Sequence, residues 1–332
     1  MKYPIAVAFS DIHIHIWRQY NTDKRRTKDH LEVLRIVDKK AHELGVPVLF
    51  GGDWFHSPDN VKNKLLSMLS GFIMKHGIFQ WASWWGITGN HDVPEDTSVT
   101  KDFSSYVAYM GSIYKNFNCI DHKSAEVIDP HGKMWAIHGV PYILGNAGFK
   151  GAVKNLKKKV GIPNILLIHS DFPGSTDPSG FELKEQNVIT EKNLKSVFQG
   201  FDLVLVGHVH KPGYLYKSDK LKIISIGAPL QQRTSDSGTD MGYWVIYSDL
   251  TLTFIKLKLP QFKYYDNGEE PGNDKDIWIE IPKQTSYESS SKVYTKGLSM
   301  GKLVDNYFIA TKTHSKKKKA YLTKLLEEGD NV

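Results

Sequence analysis

Thr88-Gly89-Asn90-His91-Asp92 is the stretch on which the reading of this chain turns. It follows an apolar run, residues 81–87, and reads as the turn out of a buried strand into a metal-centred reaction site. Asn90 and His91 offer two chemistries side by side. The amide oxygen can ligate a hard cation, and the imidazole can donate a proton to a departing oxygen. Asp92 can then fix the orientation of the ring. Gly and Asn form tight turns whatever the function, so the weight of the motif comes from four further blocks, in order along the chain, that supply the ligands it lacks.

Upstream, residues 5–9 are a short apolar run of the kind found in a fully buried strand, and they end at Ser10-Asp11-Ile12-His13. Functional groups gather at the carboxyl ends of strands in open α/β sheets, so Asp11 and His13, alternating on one face, suit a pair of ligands. His15 continues the alternation and is read as an extra exposed histidine. Arg18, Lys24, Arg25 and Arg26 follow in a loop that would put positive charge at the mouth of the site, where substrate binds. Residues 27–44 carry Leu31, Leu34, Val37, Ala41 and Leu44 at helical spacing, and Gly45 stops the run. A second buried strand, 46–50, leads to Gly51-Gly52-Asp53-Trp54-Phe55-His56. Its paired glycines allow a sharp turn that sets Asp53 between two metals. His56 either touches a substrate phosphate or supports the turn. Asn60 is expected to cap a helix with Leu65, Met68, Leu69 and Phe72 inward, and Trp81, Trp84 and Trp85 are read as core.

Downstream, a helix is expected over 102–110 and short strands near 118, 125–128 and 134–138. His138 is placed at a turn between layers as a structural residue, and Lys154 to Lys159 form a helical charge run with a wet face. Residues 164–168 make another apolar strand, ending at His169. After a helix near 191–198, the run 203–206 enters Gly207-His208-Val209-His210, whose two histidines alternate and point the same way, a spacing suited to adjacent metals. Strands at 214–216, 222–226, 243–247 and 252–257 suggest a second, largely antiparallel sheet. The fold class is therefore α/β: a four-layer α-β-β-α sandwich of two mixed sheets flanked by helices, with a small C-terminal appendage. Residues 1–260 form the catalytic domain. Residues 261–300 read as a flexible linker flanking a short strand-like excursion at 277–281, and 301–332 as a C-terminal segment whose apolar residues would suit helices. The apolar residues of 303–326 and the Lys316 to Lys319 run suit either helices offered to a partner or a solvated tail.

Lys and Arg total 43 against 36 Asp and Glu, a formal charge of +7, which favours an acidic partner. The single cysteine, Cys119, forms no internal disulfide. No apolar run is long enough for a signal peptide or a bilayer span, so a soluble, cytoplasmic protein with no membrane association is expected.

Collected, Asp11, His13, Asp53, Asn90, His169, His208 and His210 divide, with Asp53 shared, into two sets of four ligands. That count suits two cations about 3.5 to 4 Å apart. Mixed oxygen and imidazole donors favour manganese, iron or zinc over magnesium or calcium. An anionic substrate follows from the excess of cation charge over Asp11 and Asp53, with His91 left to protonate the leaving oxygen.

These five blocks resemble the motifs of the calcineurin-like metallophosphoesterases, in order over residues 5 to 258. Within that superfamily, Gly51-Gly52-Asp53-Trp54-Phe55-His56, Gly139-Val140-Pro141-Tyr142, Gly207-His208-Val209-His210-Lys211-Pro212 and Ser225-Ile226-Gly227-Ala228-Pro229 are most similar to SbcD-type nucleases of double-strand-break repair and their bacteriophage recombination relatives. The resemblance implies a manganese-dependent exonuclease and endonuclease acting on DNA with an SbcC-like coiled-coil ATPase, bound through C-terminal helices, and it admits a homodimer. It implies that Asp11, His13, Asp53 and His210 hold one metal and Asp53, Asn90, His169 and His208 the other. His56 and His91 would assist at the phosphate, with Asp92 behind them and Lys211 beside the substrate. Where the family carries a DNA-capping region, this chain has only the short segment after residue 260. Phosphatases and cyclic-nucleotide phosphodiesterases share the fold and the motifs, and a non-catalytic scaffold is the remaining alternative.

Overall fold

Apolar runs and amphipathic stretches alternate along the chain, and in the computed structural model they become strands and crossover helices. The structure describes residues 2–16, 24–57, 61–93, 105–143, 146–172, 189–190, 193–265 and 276–280. In chain order its elements begin with β1 (Pro4–Phe9), α1 (Arg25–Leu44), β2 (Val48–Phe50), α2 (Asn63–His76), β3 (Trp84–Gly86), α3 (Tyr106–Ile113) and β4 (Phe117–Cys119). They continue with β5 (Ser124–Ile128), β6 (Met134–Val140), α4 (Asn146–Asn155), β7 (Asn164–His169), α5 (Leu194–Val197) and β8 (Leu203–Gly207). Last come β9 (Gly213–Lys217), β10 (Lys222–Ser225), β11 (Gly242–Tyr247), β12 (Leu252–Lys256), β13 (Phe262–Tyr265) and β14 (Ile277–Glu280). Arg18, Asn60, Asp102, Glu191 and residues 281–332 lie outside the described residues, and so does the segment expected to form C-terminal helices.

Two six-stranded mixed sheets result, ordered β12-β11-β1-β2-β3-β4 and β5-β6-β7-β8-β10-β9. Both faces of their central strands are covered, which is why those strands read as unbroken apolar runs. In β7, Ile165 and Leu167 enter the core between the sheets, while Leu166 and Ile168 pack in the core beneath α4 and α5. Likewise Val7 and Phe9 of β1 face the core under α1 and α2, and Ile5, Ala6 and Ala8 face the other sheet. A register shift between Pro4 and Ala6 accompanies the placement of Ile5 and Ala6 on one side. Three cores between successive layers make the sandwich helix, sheet, sheet, helix.

The helix over 27–44 forms as its spacing predicts, starting two residues earlier at Arg25 and ending at Gly45, which takes φ 65°. Asp38 on its inner face accepts from the Trp84 indole at 2.8 Å and the Phe79 amide at 3.3 Å. That pairing ties α1 to β3.

Several expectations are corrected. The late strands do not build an antiparallel sheet of their own. Instead β11 pairs antiparallel with β1 and carries β12 to the edge of the first sheet, while β9 and β10 extend the second. Strand pairing follows open edges in space, and β1 had one left. Trp84 is fully buried, but Trp81 is 69% exposed. His138 is a buried residue inside β6, not at a turn, bonded to Ser124 at 2.7 Å and facing Asn164 at 3.0 Å. Helix α4 ends at Asn155, so Lys157 to Lys159 are not helical. Tyr264 and Tyr265, expected in a linker, pair through β13 in parallel with β14.

No helix among the described residues is long and apolar enough to cross a membrane. Residues Met1–Ile281 form one compact unit, and the remaining residues, 282–332, lie outside the described residues.

Candidate metal centre

Strands β1, β2, β3 and β8 stop just short of the residues that matter and β7 ends on one of them, His169; their carboxyl ends meet where the two sheets face each other. The straight alternation expected of Asp11 and His13, and of His208 and His210, is not what aims these side chains. Asp11, His13, Asp53 and His208 have φ of 54°, 47°, 61° and 85°, left-handed positions that L-residues rarely occupy. The turns interlock: the Asp11 amide donates to the Gly52 carbonyl at 2.9 Å and the His13 amide to the Asp53 carbonyl at 3.0 Å. Two glycines make room. A Cβ at Gly89 would run into the Asp53 carboxylate, and one at Gly207 into the Gly51 carbonyl.

The seven expected ligands converge in two groups. In one, the Nε2 atoms of His13 and His210 face each other at 3.2 Å, and each lies 4.0 Å from Asp11 Oδ1. In the other, Asn90 Oδ1 has His169 Nε2 and His208 Nδ1 on either side, both at 2.8 Å. Asp53 Oδ2 stands between, 3.5 Å from His13 Nε2 and 3.4 Å from His169 Nε2, the position of a bridging ligand. The donor set fits cations on its own chemistry. The second nitrogen of His169 donates to the Gly51 carbonyl at 2.7 Å, so Nε2 points with Asn90 Oδ1 and Asp53 Oδ2 at one spot. Three oxygen and nitrogen lone pairs aimed together call for positive charge. Burial keeps His13 and His210 in the neutral form that ligates, outweighing the pull of Asp53 on the first and of Asp11 on the second.

A sequence profile of the calcineurin-like phosphoesterases matches residues 6–212, more than half of the chain. The chain belongs to that family. Its chemistry is metal-dependent hydrolysis of phosphoesters. Among solved structures it is similar to TT1561 of Thermus thermophilus, at 13% identity over 76% of this chain and 99% of that one, with a TM-score of 0.43. It is also similar to a dimetal phosphatase from Danio rerio, at 11% identity over 76% of this chain and 99% of that one, with a TM-score of 0.45. No curated protein gives a match.

In this phosphoesterase His91 stands apart from the two ligand groups, its ring centroid 4.8 Å from that of His13 and 5.1 Å from that of His56. Asp92 does not orient it, contrary to the sequence expectation. The Asp92 carboxylate accepts the amides of Asp53 and Trp54 at 2.8 Å and of Gly89 at 2.9 Å, so it is a clamp joining two motif turns. A side chain three residues into a tight turn reaches the turn's own amides before it reaches its neighbour's ring. His91 is held by the His56 carbonyl, to which Nδ1 donates at 2.6 Å, while its amide donates to Asp53 Oδ1 at 2.8 Å. The His56 ring lies beside His13, His91 and His15. Burial first, then the charges of His91, His15 and Arg233, lowers its pKa to about 3.

The basic residues divide. Lys24 is exposed at a left-handed position before α1, and Lys211 is exposed beside His210. Arg25 is half-buried, whereas Arg26 is only 2% exposed, with its guanidinium over the Phe262 ring and near the Pro260 carbonyl at 3.5 Å. Arg26 is thus removed from the substrate-facing set, because its helix turns it inward. His15, expected to be exposed, is 9% exposed with its ring against His30. Two residues behind the ligands escaped the sequence reading. Gln232 donates to the carbonyls of Asp11 and Ile12 at 3.2 and 3.1 Å, and Asp171 accepts from His208 Nε2 at 2.9 Å. Asp171 carried a signal, since it lies two residues past a strand-end histidine; Gln232 carried none.

Burial works to lower the pKa of His169, but the Asp53 charge and hydrogen bond, Asp11 and the Gly51 carbonyl overcome it and raise it to about 9. A proton on Nε2 therefore holds the place of a cation. Metal binding is expected to release about one proton per chain near neutral pH, and apparent affinity to rise with pH until about 9. Calorimetry of manganese binding in two buffers of different ionisation enthalpy measures this. Equal heats in both buffers would contradict it.

Proposed function

We propose that this chain is a manganese-dependent DNA nuclease, the catalytic partner of an SbcC-like coiled-coil ATPase in recombination and repair. The observation that carries the hydrolytic part is the single oxygen, Asp53 Oδ2, placed between two ligand groups that share no other atom. Cations bound there would polarise a phosphoryl oxygen and supply a hydroxide-like nucleophile near neutral pH. His91 supplies the proton. With Nδ1 committed to the His56 carbonyl, the mobile proton is at Nε2, and the imidazolium is the form that donates to the departing oxygen. Asp92 holds the turns of Asp53 and Asn90 in one register, so the ligand groups and His91 keep a fixed relation to one another.

A polyanionic substrate is supported by the charge of +7 and by the exposed cations Lys211 and Arg233 flanking the site. Arg233 makes its charge felt at His56, and Gln232 next to it is bonded to the motif turn. Manganese is supported by the mixed donor set, with magnesium, iron and zinc as alternatives. The ATPase partner is supported by the SbcD-type motifs and by the apolar residues of 303–326.

Linear duplex DNA and a generic aryl phosphate ester, offered in parallel with manganese, separate this reading from a phosphatase or phosphodiesterase on the same fold. Release of nucleotides or shortened strands is expected, increasing when the ATPase is added. Turnover of the small ester with every DNA left intact would replace the nuclease by a phosphatase or cyclic-nucleotide phosphodiesterase.

A further inference from the structure

The imidazoles of the two ligand groups differ in what holds their far nitrogens. His169 has the Gly51 carbonyl, and the Nδ1 atoms of His13 and His210 are buried with no hydrogen-bond partner among the described residues. His208 alone of the four has a carboxylate: Nε2 donates to Asp171 Oδ1 at 2.9 Å, while Nδ1 faces Asn90 Oδ1 at 2.8 Å. The Asp171 side chain is largely covered, and the Tyr142 ring lies nearly parallel to that of His208, 28° apart with centroids at 6.2 Å. The backbone of His208 is in an unusual conformation, with φ 85°, so nothing in a strand's regular geometry sets its ring direction.

We propose that Asp171 is the positioning residue of His208. It fixes the tautomer with the proton on Nε2, turns the Nδ1 lone pair toward the cation shared with Asn90, His169 and Asp53, and strengthens that nitrogen as a donor. The inference rests on the two-cation reading of the site. Its consequence is asymmetric: Asp171 supports the cation of the Asn90 group and leaves the cation of the His13 group untouched.

The full-length chain with Asp171→Asn or Asp171→Ala tests this. In the metal-free protein, long-range nitrogen NMR of labelled histidine reads the tautomer directly. The wild type is expected to show His208 protonated on Nε2, and Asp171→Ala a mixture. Manganese calorimetry of the wild type is expected to give two sites. In Asp171→Ala one of them weakens by about 10- to 100-fold and the other stays within twofold, with activity recovering at high manganese. Asp171→Asn is expected to fall between, since an amide oxygen can still accept the proton. An unchanged tautomer together with two unchanged sites overturns the proposal. So does equal weakening of both sites, which marks a general loss of structure and is checked by thermal melting. A wild type that binds no manganese, yet shows the Nε2 tautomer in an Asp171-dependent way, would retain the positioning role and reject the metal reading instead.

Discussion

Exchanging Asp53 for asparagine is expected to cut phosphoester hydrolysis by about 10³-fold or more and to leave fewer than two cations per chain. The effect is large because one carboxylate serves both ligand groups. Its Oδ2 atom is 3.5 Å from His13 Nε2 and 3.4 Å from His169 Nε2, and its Oδ1 atom accepts the His91 amide at 2.8 Å. Asparagine keeps an oxygen for that amide, so the turn survives while the charge is lost. Burial alone would raise the Asp53 carboxyl; the charge and hydrogen bond of His169 hold it well below the usual carboxylate range. Removing the charge therefore also removes what keeps a proton on His169. Metal analysis after dialysis, with a rate measurement on the same sample, checks both outcomes. Two retained cations and near-normal turnover would show that Asp53 is not the bridge.

His91→Ala is expected to lower kcat by about 10² to 10⁴-fold with metal content unchanged. His91 Nδ1 is already spent on the His56 carbonyl, and neither nitrogen belongs to the two groups around Asp53. The loss is expected to be smaller for an aryl leaving group, which departs without a proton, than for the alkoxide of a nucleotide. That difference separates a proton donor from a residue that only binds phosphate. His13, His56 and His91 have nitrogens close enough together to form a cation site of their own. Loss of a bound cation in His91→Ala would assign His91 to that site and withdraw its role as acid.

The order of strands and helices through β8 was readable because the central strands are short apolar runs ending in polar turn residues, α1 keeps helical spacing, and buried parallel strands carry their signature on every residue. The destination of β11 was not readable. An antiparallel strand of six residues pairs equally well with several edges, and only the exposed flank of β1 decides among them. Trp81 and His15 changed sides for a related reason. Periodicity counts residues along a chain, while exposure depends on what another segment lays over them, as α1 does with His30 over His15.

At the centre, the identity of the ligands was written in the chain. Hard-cation chemistry demands particular side chains, and Asp11, His13, Asp53, Asn90, His169, His208 and His210 stand at strand ends with turn residues around them. What holds those side chains was decided only by folding. The left-handed turns at Asp11, His13, Asp53 and His208, the Asp92 clamp and the His56 carbonyl on His91 all depend on segments tens of residues apart being pressed together. A sequence specifies which groups can donate and accept; hydrogen-bond geometry at 2.6 to 2.9 Å, set by packing, specifies which of them do.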